Sequence, residues 1–251
     1  MDQLIYTSLS AMRALMQKQV VTANNLANAN TTGFRGDMTN SEAVYLPSGG
    51  DSISARAQAT DSKDSANMDA AANVATGRDL DVAMEGDSLL GVQATDGTEA
   101  YTRRGDLQVA DSGLLLTGDG LPVMGEGGSP ITLPPADSIR VDKTGVIWIV
   151  PQGGDANQPQ QIDHLKLVSA KGSKIAKGDD GLFHVAQGGT LPSDPQARIT
   201  SGALEGSNVN VTKSLTDMID ASRAWETQVK MLAGAKEMDT STAQLMDISG
   251  Q

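Results

Sequence analysis

The sequence predicts an α+β protein, with an antiparallel all-β central domain flanked by N- and C-terminal helices that pair into a coiled-coil-like bundle on assembly. Three observations predict it. Apolar residues recur three and four apart near the start of the chain, over residues 5–26, and again over residues 211–232. Between about Leu80 and Ile199 the apolar period is two instead. That middle stretch is punctuated by Asp-Gly turns and contains no helical pattern.

The first stretch steps through Ile5, Leu9, Met12, Met16, Gln19, Ala23 and Leu26 by alternating fours and threes. Gln19 apart, these are apolar, which is the seam of a coiled coil or helix bundle. Asn28, Asn30, Thr31, Thr32 and Gly33 predict where the helix stops, because they favour turns and glycine closes helices. Residues 37–76 look irregular, and residues 51–76 hold much Ala, Ser, Asp and Asn and keep no strong period. They read as a linker or loosely ordered arm in which short strands are allowed.

In the middle stretch Leu80, Val82 and Met84 alternate with Asp79, Asp81 and Ala83. Leu107/Val109, Ile139/Val141, Leu165/Leu167 and Phe183/Val185 repeat the pattern, while the run Val146–Val150 suits a strand buried on both faces. Turns are expected at Asp96-Gly97, Asp111-Ser112-Gly113, Asp119-Gly120, Asp142-Lys143-Thr144-Gly145 and Asp180-Gly181. Helical spacing returns in Val211, Leu215, Met218, Ser222, Trp225, Val229 and Leu232, with Asn210 or Thr212 placed to cap its start. The expected divisions are residues 1–36, 37–76, 77–200 and 201–251.

Neither helical end has a partner beside it in sequence, and an isolated amphipathic helix is marginal in water. The two ends are expected to order by meeting each other and further copies of the chain. The seam residues are therefore the candidate interface: Ile5, Leu9, Met12, Met16, Ala23 and Leu26 at one end, and Val211, Leu215, Met218, Trp225, Val229 and Leu232 at the other. Asn24, Asn25 and Asn28 join them, because amides at the end of an apolar seam can fix axial register.

Composition narrows the function further. With 251 residues, 39% of them apolar and 27 glycines, the chain suits a modest β domain with extended flanks. A formal charge of −12 argues against nucleic acid, whose phosphates need clustered Lys and Arg. Without cysteine there is no disulfide, thiolate nucleophile or thiolate metal site. No stretch approaches the roughly 20 apolar residues that span a bilayer. Met1-Asp2-Gln3 is acidic where a cleaved leader would be basic, so the chain is expected to be cytoplasmic or exported by a route that needs no cleaved leader.

Catalytic patterns are lacking. His164 and His184 are the two histidines, and each stands at a strand position beside apolar residues. Either could in principle serve as base or ligand, but a zinc site wants three or four close ligands. Asp79, Asp81, Asp179 and Asp180 fit no calcium loop, and no phosphate-binding glycine loop or nucleophile elbow occurs. Met12, Met16, Met218, Met231 and Met238 read as helix-packing residues. No enzyme activity, cofactor or metal is expected.

Three segments carry a resemblance. Ala23-Asn24-Asn25-Leu26-Ala27-Asn28-Ala29-Asn30-Thr31-Thr32-Gly33-Phe34-Arg35-Gly36 resembles the N-terminal signature of bacterial flagellar rod, hook and hook-associated proteins. Thr76–Ala83 through Tyr101-Thr102-Arg103-Arg104-Gly105-Asp106-Leu107 resembles the start of that family's β domain. Gly202-Ala203-Leu204-Glu205-Gly206-Ser207-Asn208-Val209-Asn210 resembles the junction entering its C-terminal helix. Met1–Tyr6, Gly118–Val123 and Val150–Gly153 favour the proximal-rod branch, with distal-rod and hook-type members as the alternative. Leu89-Leu90 departs from the bulky aromatic usual there. The resemblance implies a subunit exported by the flagellar type III apparatus and polymerised with other rod proteins in the periplasmic basal body. It also implies a tube of paired terminal helices with the β domain outside it.

Overall fold

Helix α1 spans Asp2–Ala27 and helix α2 spans Val211–Ile248 in the computed structural model, which describes residues 2–39, 41–45, 57–61, 65–155 and 157–248. α1 stops where the Asn/Thr/Gly run begins: Thr31 N–H returns to the Asn28 carbonyl at 3.1 Å, and Gly33 takes a φ of +67°. Asn210 caps α2, accepting the Lys213 N–H on Oδ1 at 3.0 Å.

Between the helices run short strands: β1 (Asp37–Met38), β2 (Ser41–Tyr45), β3 (Ala57–Asp61), β4 (Ser65–Ala66), β5 (Asn73–Ala75), β6 (Val82–Met84), β7 (Ser88–Gln93), β8 (Glu99–Thr102) and β9 (Leu107–Val109). Then follow β10 (Leu115–Thr117), β11 (Ala136–Val141), β12 (Val146–Pro151), β13 (Gln160–His164), β14 (Leu167–Ser169), β15 (Ile175–Lys177), β16 (Phe183–Val185), β17 (Ile199–Ser201) and β18 (Ala203–Glu205).

The chain forms two compact units. The helical unit comprises Met1–Ala27, Asp37–Ser65 and Val209–Gln251. Within it α1 packs against α2, and the antiparallel pair β2–β3 lies with β3 against α1. Part of the expected linker is thus a strand pair that belongs with the helices. α2 has 38 residues against 26 in α1, so it is about 18 Å longer.

The β unit comprises Asn28–Gly36 and Ala66–Asn208. Its largest sheet has five antiparallel strands in the order β14-β7-β8-β16-β15. A three-stranded sheet, β11-β12-β13, and the pairs β9–β10, β6–β17 and β5–β18 complete it. Leu90, Val92, Leu107, Leu115, Ile147, Ile149, Leu165 and Ile199 join one core; Leu89, Tyr101, Val168, Phe183 and Leu191 form a second. Adjacent residues Leu89 and Leu90 feed opposite cores because successive strand side chains point to opposite faces. β7 is consequently covered on both sides.

Two expectations about burial change places. β12, expected to be buried on both faces, alternates: Ile147 and Ile149 are buried while Val146, Trp148 and Val150 are half-open. β6, expected to alternate, is buried throughout, and Asp81 before it is buried as well. Periodicity records which residues tolerate solvent, whereas coverage depends on which sheet lies opposite. Local turn chemistry is more direct. At the β11–β12 turn Asp142 Oδ1 accepts the Thr144 N–H at 2.7 Å, and Gly145 takes a φ of +90°.

Candidate functional site

The helix pair presents a closed side and an open side. The closed side consists of small residues: Ser8 and Thr22 on α1, and Ser214, Ala221 and Ala235 on α2, are buried along with Val21. Ala11, Leu15 and Asn25 line the same side half-buried. Val21 and Ala235 apart, these positions lie one residue before the expected seam, so the covered stripe is displaced from it around each helix and overlaps it at its half-buried members. Small side chains at such positions let two helices approach closely. Met12, Leu26, Met218, Trp225 and Leu232 of the expected seam are half-buried. Leu9 (42% exposed), Met16 (58%), Ala23, Val211, Leu215 (46%) and Val229 are open to solvent. Val20, Ile219, Met231 and Met238 extend this open apolar surface. The Ile5 side chain lies outside the described residues.

Of the three expected register amides, Asn25 is committed within the chain. Its Nδ2 donates to the Asp37 carbonyl and its Oδ1 accepts the Asp37 N–H, both at 2.8 Å. Two such bonds imitate a strand pairing and hold the returning chain to α1. Asn28 accepts the Thr31 hydroxyl at 3.2 Å and is half-buried, and Asn24 is exposed.

In the β unit, segment Gly33–Gly36 runs beside segment Glu205–Asn208. Gly33 N–H donates to the Glu205 carbonyl at 2.8 Å, Asn208 N–H to the Phe34 carbonyl at 3.3 Å, and Gly36 N–H to Asn208 Oδ1 at 2.8 Å. Asn208 Nδ2 also donates to the carbonyls of Asn67 and Asp69 at 2.8 and 3.0 Å. At the centre is the Glu205 carboxylate. Oε1 accepts Arg35 Nη2 at 2.7 Å and the Ala71 N–H at 3.0 Å; Oε2 accepts Arg103 Nε at 2.6 Å. Arg103 spends its other nitrogens on the carbonyls of Gly86, Ser88 and Met84. Lys177 closes over the segment, 4.0 Å above the Phe34 ring, and donates to the Arg35 carbonyl at 2.8 Å.

All three ionic side chains are buried. Burial holds the Arg35 guanidinium below its ordinary range; Arg103 pushes the same way, and Glu205 opposes both. Gly33 fits because nothing larger could: a Cβ there would stand 2.5 Å from the Arg103 carbonyl. Motif reading quoted these residues but assigned none of them a role. One signal was available. Period two places Glu205 on the same face of its strand as Ala203, the covered face, and a buried carboxylate needs a cation.

The histidines stand apart from this centre. His184 Nε2 lies 2.9 Å from Asp180 Oδ2, and His164 Nδ1 lies 3.0 Å from the Leu165 carbonyl. Among the described residues no group of three acidic or histidine side chains could hold a metal ion, and no helix is long and apolar enough to cross a membrane.

Comparison with known proteins converges on one family. Three family models match: flagella basal body rod protein over residues 5–35, the flagellar hook protein FlgE/F/G D1 domain over 83–149, and flagellar basal body rod FlgEFG protein C-terminal over 200–245. The flagellar basal-body rod protein FlgF of Salmonella typhimurium is 41% identical across 99% of this chain and 100% of its own length. The Escherichia coli FlgF is 40% identical over the same shares. The chain belongs to the flagellar basal-body rod protein family. FlgG of Bacillus subtilis, also a basal-body rod protein by name, is 30% identical over 93% of the chain and 95% of its own length.

Membership gives the ionic centre a sharper meaning. Each of the three rod-family matches supplies one member: Arg35 ends the first, Arg103 lies in the second and Glu205 in the third. Segments that read as separate signatures in a rod protein sequence are one contact in space.

Proposed function

We propose that this chain is a structural subunit of the proximal flagellar rod, polymerising through its terminal helices to build the drive shaft. One observation carries the reading: a helix pair that has covered its small-residue side still leaves Leu9, Met16, Val20, Leu215, Ile219 and Val229 open. Such a surface calls for helices from neighbouring subunits. Head-to-tail contacts that do not close generate a filament, so a single kind of interface extends a rod. Close-packed helices then resist bending and twist, as a shaft must.

The stated partners are copies of this chain and other rod subunits. The interface comprises the seam residues together with Asn24, Asn25 and Asn28 as register amides, Asn25 also holding Asp37 of its own chain. Delivery by the flagellar export apparatus without a cleaved leader, and residence in the periplasm, belong to the same reading. Higher identity to the two FlgF relatives than to the Bacillus FlgG supports the proximal position over the distal one.

The test places a charge on the open surface. Leu215→Asp on an exposed site should change the stability of the isolated chain by no more than about 0.5 kcal/mol. It should nevertheless abolish incorporation into basal bodies. Normal incorporation of both Leu215→Asp and Met16→Asp would refute the helix-face reading.

A further inference from the structure

Arg35 is buried at a cost that its own unit does not explain. Its side chain is 0% exposed, and only Nη2 makes a hydrogen bond to a side chain. Nε and Nη1, both buried, have no hydrogen-bond partner among the described residues. Arg103 already satisfies the charge of Glu205 and uses every one of its own nitrogens. The centre therefore holds two cations against one carboxylate, with Asp69 contributing only attraction through space. A buried ion pair is weak evidence for stability, and an excess buried cation is weaker still.

Place in the chain offers a better account. Arg35 ties Gly33–Gly36 to Glu205–Asn208, and these are the segments that leave α1 and enter α2. The hydrogen bonds Gly33 N–H to the Glu205 carbonyl, Asn208 N–H to the Phe34 carbonyl and Gly36 N–H to Asn208 Oδ1 also join the two segments, but each involves the backbone and none selects a charge. Arg35 reaches from the first segment to the carboxylate of the second.

We propose that Arg35 is a positioning residue for rod assembly: through Glu205 it clamps the segment leaving the first helix to the segment entering the last, and so fixes both helix exits for packing with neighbouring subunits. The proposal rests on the helix-face reading above.

Arg35→Met in the full chain, which keeps bulk and removes the charge, is the test. Melting should stay within about 3 °C of wild type, since the Arg103–Glu205 pair remains intact. Hydrogen exchange at the Gly33 and Gly36 amides should quicken about tenfold or more, with strands β7 and β8 unchanged. Incorporation into basal bodies should fall by about tenfold or more, equivalent to roughly 1.4 kcal/mol of lost coupling. Incorporation within about twofold of wild type overturns the proposal, and so does a melting loss above about 5 °C, which would mark Arg35 as a plain stabiliser. Leu215→Asp runs in parallel. If Leu215→Asp fails to incorporate while Arg35→Met succeeds, only the positioning role falls; if Arg35→Met, Leu215→Asp and Met16→Asp all succeed, the helix-face reading falls with it.

Discussion

Arg35 Nη2 donates to Glu205 Oε1 at 2.7 Å, although the two residues stand 170 positions apart in the chain. The contact places the end of the N-terminal signature on the doorstep of the last helix, inside the β unit. Its energetics are lopsided, because one carboxylate serves two guanidiniums.

Glu205→Gln should therefore be costly. It leaves Arg35 and Arg103 buried without an anion, and breaking a buried pair in this way costs about 3–5 kcal/mol. Urea unfolding of the full chain would measure it. A loss below about 1 kcal/mol would mean the carboxylate is dispensable to the fold.

Gly33→Ala meets two obstacles at once. The backbone is left-handed there, at φ +67°, and the new methyl would stand 2.5 Å from the Arg103 carbonyl carbon and oxygen. Left-handed strain alone is worth about 1–2 kcal/mol, and backbone contact adds to it. The expected result is a destabilised β unit whose Gly33 amide loses exchange protection. An unchanged denaturation midpoint would rule out the close approach.

Asn25→Ala removes both bonds to Asp37 at the end of α1. Two hydrogen bonds of this kind contribute about 1–3 kcal/mol together. The loss should show first as faster exchange of the Asp37 amide in the isolated chain. If that amide keeps its protection and only assembly suffers, Asn25 acts between subunits after all.

Stability should fall above about pH 10. Burial holds the Tyr101 hydroxyl above its ordinary range; the Leu191 N–H works against this, and Glu99, which accepts the hydroxyl proton at 2.7 Å, works with it. As pH rises through the ordinary tyrosine value, the unfolded chain releases a proton that the native chain keeps. Unfolding thus becomes easier by up to about 1.4 kcal/mol per pH unit. The Tyr101→Phe variant should lose stability overall yet show a shallower decline between about pH 10 and 12 than wild type. An equal slope in the two proteins would assign the alkaline loss to other groups.

The sequence alone determined the parts whose causes are local. Helix, β domain and helix follow from side-chain period; the stop at Gly33, the cap at Asn210 and the turn at Asp142–Gly145 follow from residues within a few positions of one another. Tertiary structure decided what depends on an opposing surface. Apolar spacing drew a stripe through Leu9, Met16 and Leu215, yet the fold buries the neighbouring positions Ser8, Thr22, Ser214 and Ala221 and leaves that stripe open. It likewise brought Arg35, Arg103 and Glu205 together. A buried charge declares its need for a partner in the sequence, but only the folded chain, by excluding water around it, chooses which partner answers.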